Sequence, residues 1–237
     1  MRYFFENKNL MYYYKMVYAK RSYKKRSYKK KKSYVPRRIK NIVPDSHMVK
    51  LKYVDTVKVN AGASAPNSYV FRANSIQDPD QTGTGHQPLG HDQWAPFYDH
   101  YTVVGAKITV RFMSILETAQ GNAVVGILLK DNATVIVDPL TIMEETGSGY
   151  KVVTNADAKG TCMVSKGFSS KRFFGLQSIR DNRQLVGAAF GSNPTEEAYF
   201  HIYSAPIDPA VDPGVVDCVV TIEYTVLLTE RKSLARS

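Results

Sequence analysis

Cysteine and long apolar runs are both scarce in this 237-residue sequence, and each scarcity excludes a class of protein. The two cysteines, Cys162 and Cys218, lie far apart and form no CxxC pair, so neither a disulfide framework nor a cysteine metal site is predicted. We interpret both as small buried hydrophobes in a reducing compartment. The longest apolar run, residues 123–129, is interrupted only by Gly126 and is far shorter than the roughly 20 residues of a membrane-spanning helix. Tyrosine and lysine break up the N-terminal segment, so no secretory leader is expected.

Patterns that carry catalysis or metal binding are also missing. Three histidines, His86, His91 and His100, lie near Asp92 and Asp99, but no His-x-His pair exists of the kind that cupin-type metalloenzymes use. Hydrogen bonding in turns and helix caps is the simpler interpretation of these side chains. The sequence therefore predicts no metal site here.

Two further motifs begin correctly and then fail. Residues 78–89 start like a calcium loop, but Leu89 occupies the twelfth position, where a bidentate glutamate is needed. Residues 85–90 have the Gly-x4-Gly spacing of a phosphate loop, but His91 follows instead of lysine. With no Gly-x-Ser-x-Gly elbow either, we expect a protein that is not an enzyme and needs no cofactor.

Acidic residues are almost absent from the first 40 positions. This segment holds 15 Lys or Arg against one acid, Glu6, and so carries a formal charge of +14. The remaining residues hold 17 bases against 20 acids, a charge of −3. A strongly cationic arm on a nearly neutral body is typical of a protein that binds nucleic acid or another anionic surface.

The arm, residues 1–45, repeats one short pattern in which tyrosine alternates with lysine and arginine. Because it repels itself and has no apolar periodicity, we expect it to be disordered in the free protein. Cations bind phosphates without reading sequence, and interleaved aromatic rings can stack on unpaired bases, each worth about 1–3 kcal/mol. The pattern therefore favours single-stranded nucleic acid. The predicted contact residues are Lys20, Arg21, Tyr23, Lys24, Lys25, Arg26, Tyr28, Lys29, Lys30, Lys31, Lys32, Tyr34, Arg37, Arg38 and Lys40.

Other uses of the arm remain open at this point. The lysine run at residues 29–32 and the Pro36-Arg37-Arg38 sequence also fit a nuclear localisation signal, which is compatible with nucleic-acid binding. A polybasic tail on a membrane surface is a third interpretation. Met16 is an alternative initiation point, which would make residues 1–15 an upstream extension.

The body, residues 46–237, is predicted to be all-β. Strict alternation of apolar and polar residues over 215–229, and again over 101–115, indicates half-buried strands. Residues 49–53 alternate too, and the phase slips near Asp55, which predicts a bulge. Residues 123–130 are almost continuously apolar, which favours a strand buried on both faces.

Shorter strands are predicted at 69–73, 152–154, 161–165, 173–177 and 197–203, and helices only at 91–100 and 141–146. About eight strands with long loops fit a double-sheet jelly roll or another β-sandwich, with an immunoglobulin-like sandwich as the alternative. Trp94, the only tryptophan, is interpreted as a core anchor.

One segment resembles a known family. It runs from Pro88, Gly90, Asp92 and Gln93 to Tyr101, Val103, Gly105, Lys107 and Ile108. This resembles capsid proteins of small circular Rep-encoding single-stranded DNA viruses, the circovirus-like group, in which a P-x-G-x-D-Q turn precedes a short helix and Y-x-V-x-G-s-K-I opens a long strand. The basic tyrosine-rich arm and the final Val/Ile/Tyr-rich strand are also similar to that group. The arm departs from many of its members in being rich in lysine rather than arginine.

The resemblance implies a single eight-stranded viral jelly roll over residues 46–237, with the arm of residues 1–45 inside a shell. It further implies assembly of identical subunits into a small icosahedral (T=1) particle around a single-stranded DNA genome. Expected partners are that DNA, other copies of the chain and a host nuclear import receptor, with no membrane partner. The expected locations are the virion and, during assembly, the host nucleus. Residues 80–90 and 208–214 are predicted to lie between subunits or on the exterior.

A different class of function remains open beside this one. A cellular β-sandwich protein that binds nucleic acid without forming a shell would share the charged arm and the alternating strands. Particle formation is the property that distinguishes the two hypotheses.

Overall fold

The computed structural model describes residues 42–114, 121–134, 136, 138–153 and 161–234. The described residues form nine strands and a few short helical segments. The strands are β1 (Ser46–Ala61), β2 (Asn67–Arg72), β3 (Tyr98–Ser114), β4 (Ala123–Lys130), β5 (Ser148–Val153), β6 (Thr161–Ser169), β7 (Gly187–Ala189), β8 (Tyr199–Pro206) and β9 (Gly214–Arg231). The helices are α1 (His91–Trp94), α2 (Pro139–Glu144), α3 (Ser170–Phe173) and α4 (Arg183–Val186), with a 3-10 turn at Arg180–Asn182.

The strands form two antiparallel sheets. The first has the order β1-β9-β3-β6, with the short β7 paired to β3, and the second has the order β2-β8-β4-β5. Pairing is nested along the chain, since β1 pairs with β9, β2 with β8, β3 with β6 and β4 with β5. The pairs β9–β3 and β8–β4 complete the two sheets.

This nested order is that of a jelly roll, in which two Greek keys fold into a double sheet. The predicted fold class is therefore confirmed. The immunoglobulin-like alternative is wrong, because that fold pairs its first two strands in one sheet, whereas β1 and β2 lie in different sheets. The three-residue β7 is an addition to the eight strands that were predicted.

Strand β9 carries the clearest inward face. Its alternate apolar residues are all buried, and they are Val216, Cys218, Val220, Ile222, Tyr224, Val226 and Leu228. These are the residues that the alternation assigned to the core, so that prediction is confirmed. Because β9 lies between β1 and β3, its inward side chains join those of both neighbours in the main core.

The predicted bulge near Asp55 is wrong. β1 pairs with β9 in unbroken register from Ser46 to Ala61. Val54 faces outward and is 46% exposed, and Asp55 occupies the inward position between Tyr53 and Val57. The Tyr53 hydroxyl donates a hydrogen bond of 2.7 Å to Asp55. The polar residue at an inward position was therefore mistaken for a change in the phase of the apolar–polar alternation.

A bulge does occur in β3. The register between β3 and β9 shifts between Val103 and Gly105. The predicted inward face of β3 is confirmed for Ala106 and the residues beyond it, but Val104 is only partly buried and Val103 is fully buried. The extra residue of the bulge changes which side chain faces the core.

Two of the predicted elements differ from the structure. Residues 173–177 are not a strand, because α3 ends at Phe173 and the aromatic pair Phe173 and Phe174 packs edge-on against Phe168. The helix predicted at 91–100 ends at Trp94, since β3 begins at Tyr98. In the first place ring contacts with the preceding strand β6 accompany the helical turn, and in the second the pairing of β3 with β9 begins at Tyr98.

Strand β4 is buried on both faces, as predicted. Its outward residues Val124 and Leu128 form a second small core with Ile136, Ile142 and Tyr203. Helix α2 supplies Ile142 and is capped at its N-terminus by Asp138, whose carboxylate accepts hydrogen bonds from the backbone of Leu140 and Thr141. The hydrogen bond from the Thr141 hydroxyl, followed by the backbone bonds, lowers the pKa of Asp138.

Candidate nucleic-acid interface

The predicted contact residues of the arm all lie outside the described residues. These are Lys20, Arg21, Tyr23, Lys24, Lys25, Arg26, Tyr28, Lys29, Lys30, Lys31, Lys32, Tyr34, Arg37, Arg38 and Lys40. Their part in binding stays a prediction.

The junction between the arm and the body is described from Ile42 onward. Val43 packs against the main core, and the Tyr98 hydroxyl donates a 2.9 Å hydrogen bond to the carbonyl oxygen of Pro44. Asp45 lies 3.5 Å from the Nε of Arg231 at the end of β9. The chain therefore contacts the start of β3 and the end of β9 immediately before it enters β1, an edge strand of the first sheet.

The outward face of that first sheet is basic. Five exposed cations project from it, and two acids lie among them. The cations are Lys50, Lys52, Lys58, Lys107 and Arg111, and the acids are Asp217 and Glu223. Lys58 lies 4.0 Å from Asp217, whereas the other four cations have no ion pair with any residue in the described part of the chain. We call these seven residues the basic sheet face.

A shallow hollow of about 410 Å³ lies on the basic sheet face. Lys50, Lys52 and Lys107 line it together with Thr225 and Glu223. The register explains this grouping, since Lys52 is opposite Glu223, and Glu223 is opposite Lys107 on the next strand. Gly105, at the bulge, also lines the hollow and contributes no side chain to fill it.

The outward face of the second sheet differs from the basic sheet face, because an acidic segment of the chain packs over part of it. Part of it is buried beneath the segment that follows β4, which includes α2. Residues 130–145 carry one cation, Lys130, and four acids, Asp131, Asp138, Glu144 and Glu145. Lys130 itself lies 3.3 Å from Glu145. The segment that covers part of the second sheet is therefore acidic, whereas the basic sheet face is cationic.

A second group of cations lies away from the basic sheet face. Lys171 and Arg172 are exposed on α3, Arg180 is exposed on the 3-10 turn, and Arg183 is exposed on α4. The Arg183 Nε donates to the carbonyl oxygen of Arg180 at 3.1 Å. These residues belong to the connection between β6 and β7 and not to either sheet.

The histidines are held separately, each by its own neighbours. His91 is buried, and its Nδ1 lies 3.0 Å from Asp92; His100 Nδ1 lies 2.9 Å from Glu230. His86 contacts two main-chain carbonyl oxygens. No group of three metal-ligating side chains occurs among the residues that the structure describes.

Neither cysteine is poised for reaction. Cys218 is 1% exposed, and burial raises its pKa to about 12. Burial also raises the pKa of Cys162. Both thiols are free, and a raised pKa keeps them in the weakly nucleophilic protonated form.

The segment that carries the family resemblance runs beside the edge strand β1, where Leu89 bridges to Lys52, and then continues into β3. Gly90 has a φ of 93°, a left-handed conformation that glycine adopts without strain, and it precedes α1. Trp94 stacks on His47 at a centroid distance of 5.1 Å and packs against the main core. The interpretation of Trp94 as an anchor agrees with this packing.

Apolar side chains are exposed at several places that a single subunit does not cover. Leu89 is 87% exposed in the loop before α1, and Tyr150 and Val152 are each about half exposed on the edge strand β5. Ile207 is 48% exposed where β8 leaves the sheet. Within the described residues, no helix is long and apolar enough to cross a membrane.

No family model matches this sequence. No curated protein matches it either. Solved structures with a similar fold do exist, at low sequence identity.

The structure of Cocksfoot mottle virus aligns with a TM-score of 0.45 and 17% identity, covering 78% of this chain and 94% of that one. A 60-mer of the BFDV capsid protein aligns with a TM-score of 0.44 and 13% identity, covering 81% and 97%. Turnip yellow mosaic virus aligns with a TM-score of 0.43 and 14% identity, covering 81% and 98%.

The basic sheet face was not identified from the sequence. Alternation alone places Lys50, Lys52, Lys107 and Arg111 at outward positions, and that signal is present in the sequence. What it lacks is the strand order, since β9 lies between the two strands that carry these cations.

Proposed function

We propose that this chain is a viral capsid protein whose jelly-roll body assembles into a small icosahedral shell. The observation that carries the proposal is the continuity in sequence between residues 1–40, which have a formal charge of +14, and β1, the first strand of the jelly roll, which begins at Ser46. A jelly roll closes its own core and leaves loops and short edges for contact with neighbouring subunits. The exposed Leu89, Tyr150 and Val152 supply apolar surface for such contacts.

The arm packages a single-stranded DNA genome of the circovirus-like type. Its cations neutralise phosphates and release counterions, and its tyrosines stack on unpaired bases. If about ten arm cations engage phosphates, log K falls against log salt concentration with a slope near −7. A slope near zero would contradict packaging by charge.

Electron microscopy of the expressed full-length protein tests assembly, and the absorbance ratio at 260 and 280 nm tests packaging. The informative variant replaces six arm lysines by glutamine, and the matched control replaces the same six by arginine. They are Lys24, Lys25, Lys29, Lys30, Lys31 and Lys32. We expect uniform small shells in all three preparations, with nucleic acid lost only from the glutamine variant.

Discrete monomers or dimers under several salt and pH conditions would contradict the capsid function. That outcome would favour a cellular nucleic-acid-binding β-sandwich protein. Shells that retain nucleic acid in the glutamine variant would support the proposed assembly but would contradict the proposed role of the arm in packaging.

Nuclear import is a second use of the same arm. The lysine run and Pro36-Arg37-Arg38 bind an import receptor and take the subunit to the host nucleus, where shells form. Fusion of residues 1–45 to a fluorescent reporter tests this, with nuclear accumulation expected from the native segment and not from the glutamine variant.

A further inference from the structure

The outward faces of the two sheets differ in a way that the jelly roll does not require. The basic sheet face carries five cations and two acids, although residues 41–237 have a formal charge of −3. Residues 130–145, which cover part of the other sheet, have a formal charge of −3 by themselves. The basic sheet face and the segment that covers part of the other sheet therefore carry net charges of opposite sign.

We propose that the basic sheet face is a second binding surface for single-stranded nucleic acid. This face lines the inside of the shell and binds the same nucleic acid as the arm. This rests on the proposed function. Lys52 and Lys107 are its central contacts, with Lys50 and Arg111 beside them.

The arrangement of the cations selects a polyanion over a small anion. Residues two apart on one strand are separated by about 7 Å, and β1 and β3 lie two strand spacings, about 10 Å, apart. Cations spread at these distances do not converge on one phosphate, but they can each meet a different phosphate of an extended chain. The open hollow between Lys50, Lys52 and Lys107 admits the backbone of such a chain.

Neutral hydroxyl groups lie among the cations. Thr221 on β9 is opposite Thr109 on β3, and the Thr109 hydroxyl lies 3.0 Å from that of Ser165 on β6. Hydroxyls donate to phosphate and sugar oxygens without reading sequence. The surface therefore suits a genome whose sequence varies along the shell.

Connection to the arm favours nucleic acid over an anionic membrane as the occupant. The arm enters the body at β1, and β1 supplies Lys50, Lys52 and Lys58 to the basic sheet face. The nucleic-acid-binding arm is therefore continuous in sequence with the strand that supplies three of the five cations. The acidic segment of the other sheet repels the same polyanion, so the subunit is oriented relative to the genome.

Salt-dependent binding of oligo(dT) to the full-length chain tests the proposal. The variant Lys52→Gln with Lys107→Gln removes two phosphate contacts, and we expect the slope of log K against log salt to become less steep by about 1.4. At 0.15 M salt the same relation gives an affinity about tenfold weaker. The charge-conserving variant Lys52→Arg with Lys107→Arg should keep the slope of the native chain.

The matched control is Lys151→Gln with Lys171→Gln, which removes the same charge from exposed positions on β5 and α3, away from the basic sheet face. Equal changes in slope for the two glutamine variants would overturn the proposal. So would an unchanged oligo(dT) slope together with lost binding to phosphatidylserine vesicles, since the face would then bind membranes. Particle formation and the arm variants decide the proposed function separately, so the two failures are distinguishable.

Discussion

The Nε2 of His86 lies 3.0 Å from the carbonyl oxygen of Val54 on the free edge of β1. Its Nδ1 lies 2.8 Å from the carbonyl oxygen of Gln87. A ring that donates to two carbonyl oxygens must carry a proton on both nitrogens, so this geometry favours the imidazolium. One residue pair further along the same edge, the Leu89 amide donates to the carbonyl oxygen of Lys52 at 3.3 Å. Together the two contacts cover an edge strand that would otherwise be open to pairing.

The His86 contact predicts a pH dependence of stability. The carbonyl oxygens of Gln87 and Val54 raise the pKa of His86, with a smaller contribution from the charge of Asp55. A raised folded pKa means that the stabilisation is fully present below the unfolded value of about 6.5 and is lost as the pH rises through the folded pKa. The stability difference between the native chain and His86→Gln should therefore shrink with rising pH. Urea unfolding followed by Trp94 fluorescence measures it, and a difference that grows with pH would contradict the contact.

The hydrogen bond between Tyr53 and Asp55 should make removal of the tyrosine hydroxyl destabilising. The Tyr53 side chain is fully buried, and its hydroxyl donates to the partly buried Asp55. Burial and Asp55 raise the pKa of Tyr53, so the phenol remains a donor throughout the working pH range. Tyr53→Phe should lower the free energy of unfolding by about 1.5–3 kcal/mol, since a charged acceptor loses its partner. Tyr150→Phe, on an exposed ring of β5, is the control and should change it little.

The close packing around Gly126 should make the addition of one methyl group destabilising. A Cβ at this position of β4 would lie 2.6 Å from the Gly149 carbonyl oxygen and 2.6 Å from the Tyr203 hydroxyl. Gly126→Ala should destabilise the chain by about 1–3 kcal/mol or more, because β4 and β5 must separate. Gly167→Ala on β6 adds the same methyl where nothing lies within 4 Å. Equal denaturation midpoints for the two variants would contradict the packing of the second sheet.

Leu89 predicts a defect in assembly without a defect in folding. Its side chain is 87% exposed in the loop that the sequence placed between subunits or on the exterior. Leu89→Asp should leave the free energy of unfolding within about 0.5 kcal/mol of the native value, as for most surface changes. If the loop contacts a neighbouring subunit, the yield of shells by electron microscopy falls sharply. Thr82→Asp in the same loop is the control, and normal shells from both variants would place Leu89 on a free surface.

Strand β9 shows how far the sequence determines local structure. Its alternation over more than a dozen residues fixed which side chains face the core, and the structure agrees at every position from Val216 to Leu228. The continuous apolar run of β4 likewise predicted burial on both faces. Alternation failed where one inward position is polar, at Asp55, and where the bulge adds a residue, at Val103 and Gly105. The strand predicted at 173–177 was also wrong, because Phe173 lies in a helical turn and packs against Phe168.

The sequence by itself determined the separation of a cationic arm from a nearly neutral body, the all-β class and the inward face of β9 along its whole alternating stretch. These are local properties, since charge adds residue by residue and side-chain direction alternates along one strand. The tertiary structure alone decided the nesting of the strands and the position of β9 between β1 and β3. That order depends on contacts between residues as far apart as Lys52 and Glu223, which no local pattern encodes. It is the same order that gathers Lys50, Lys52, Lys107 and Arg111, which are distant in sequence, onto one face.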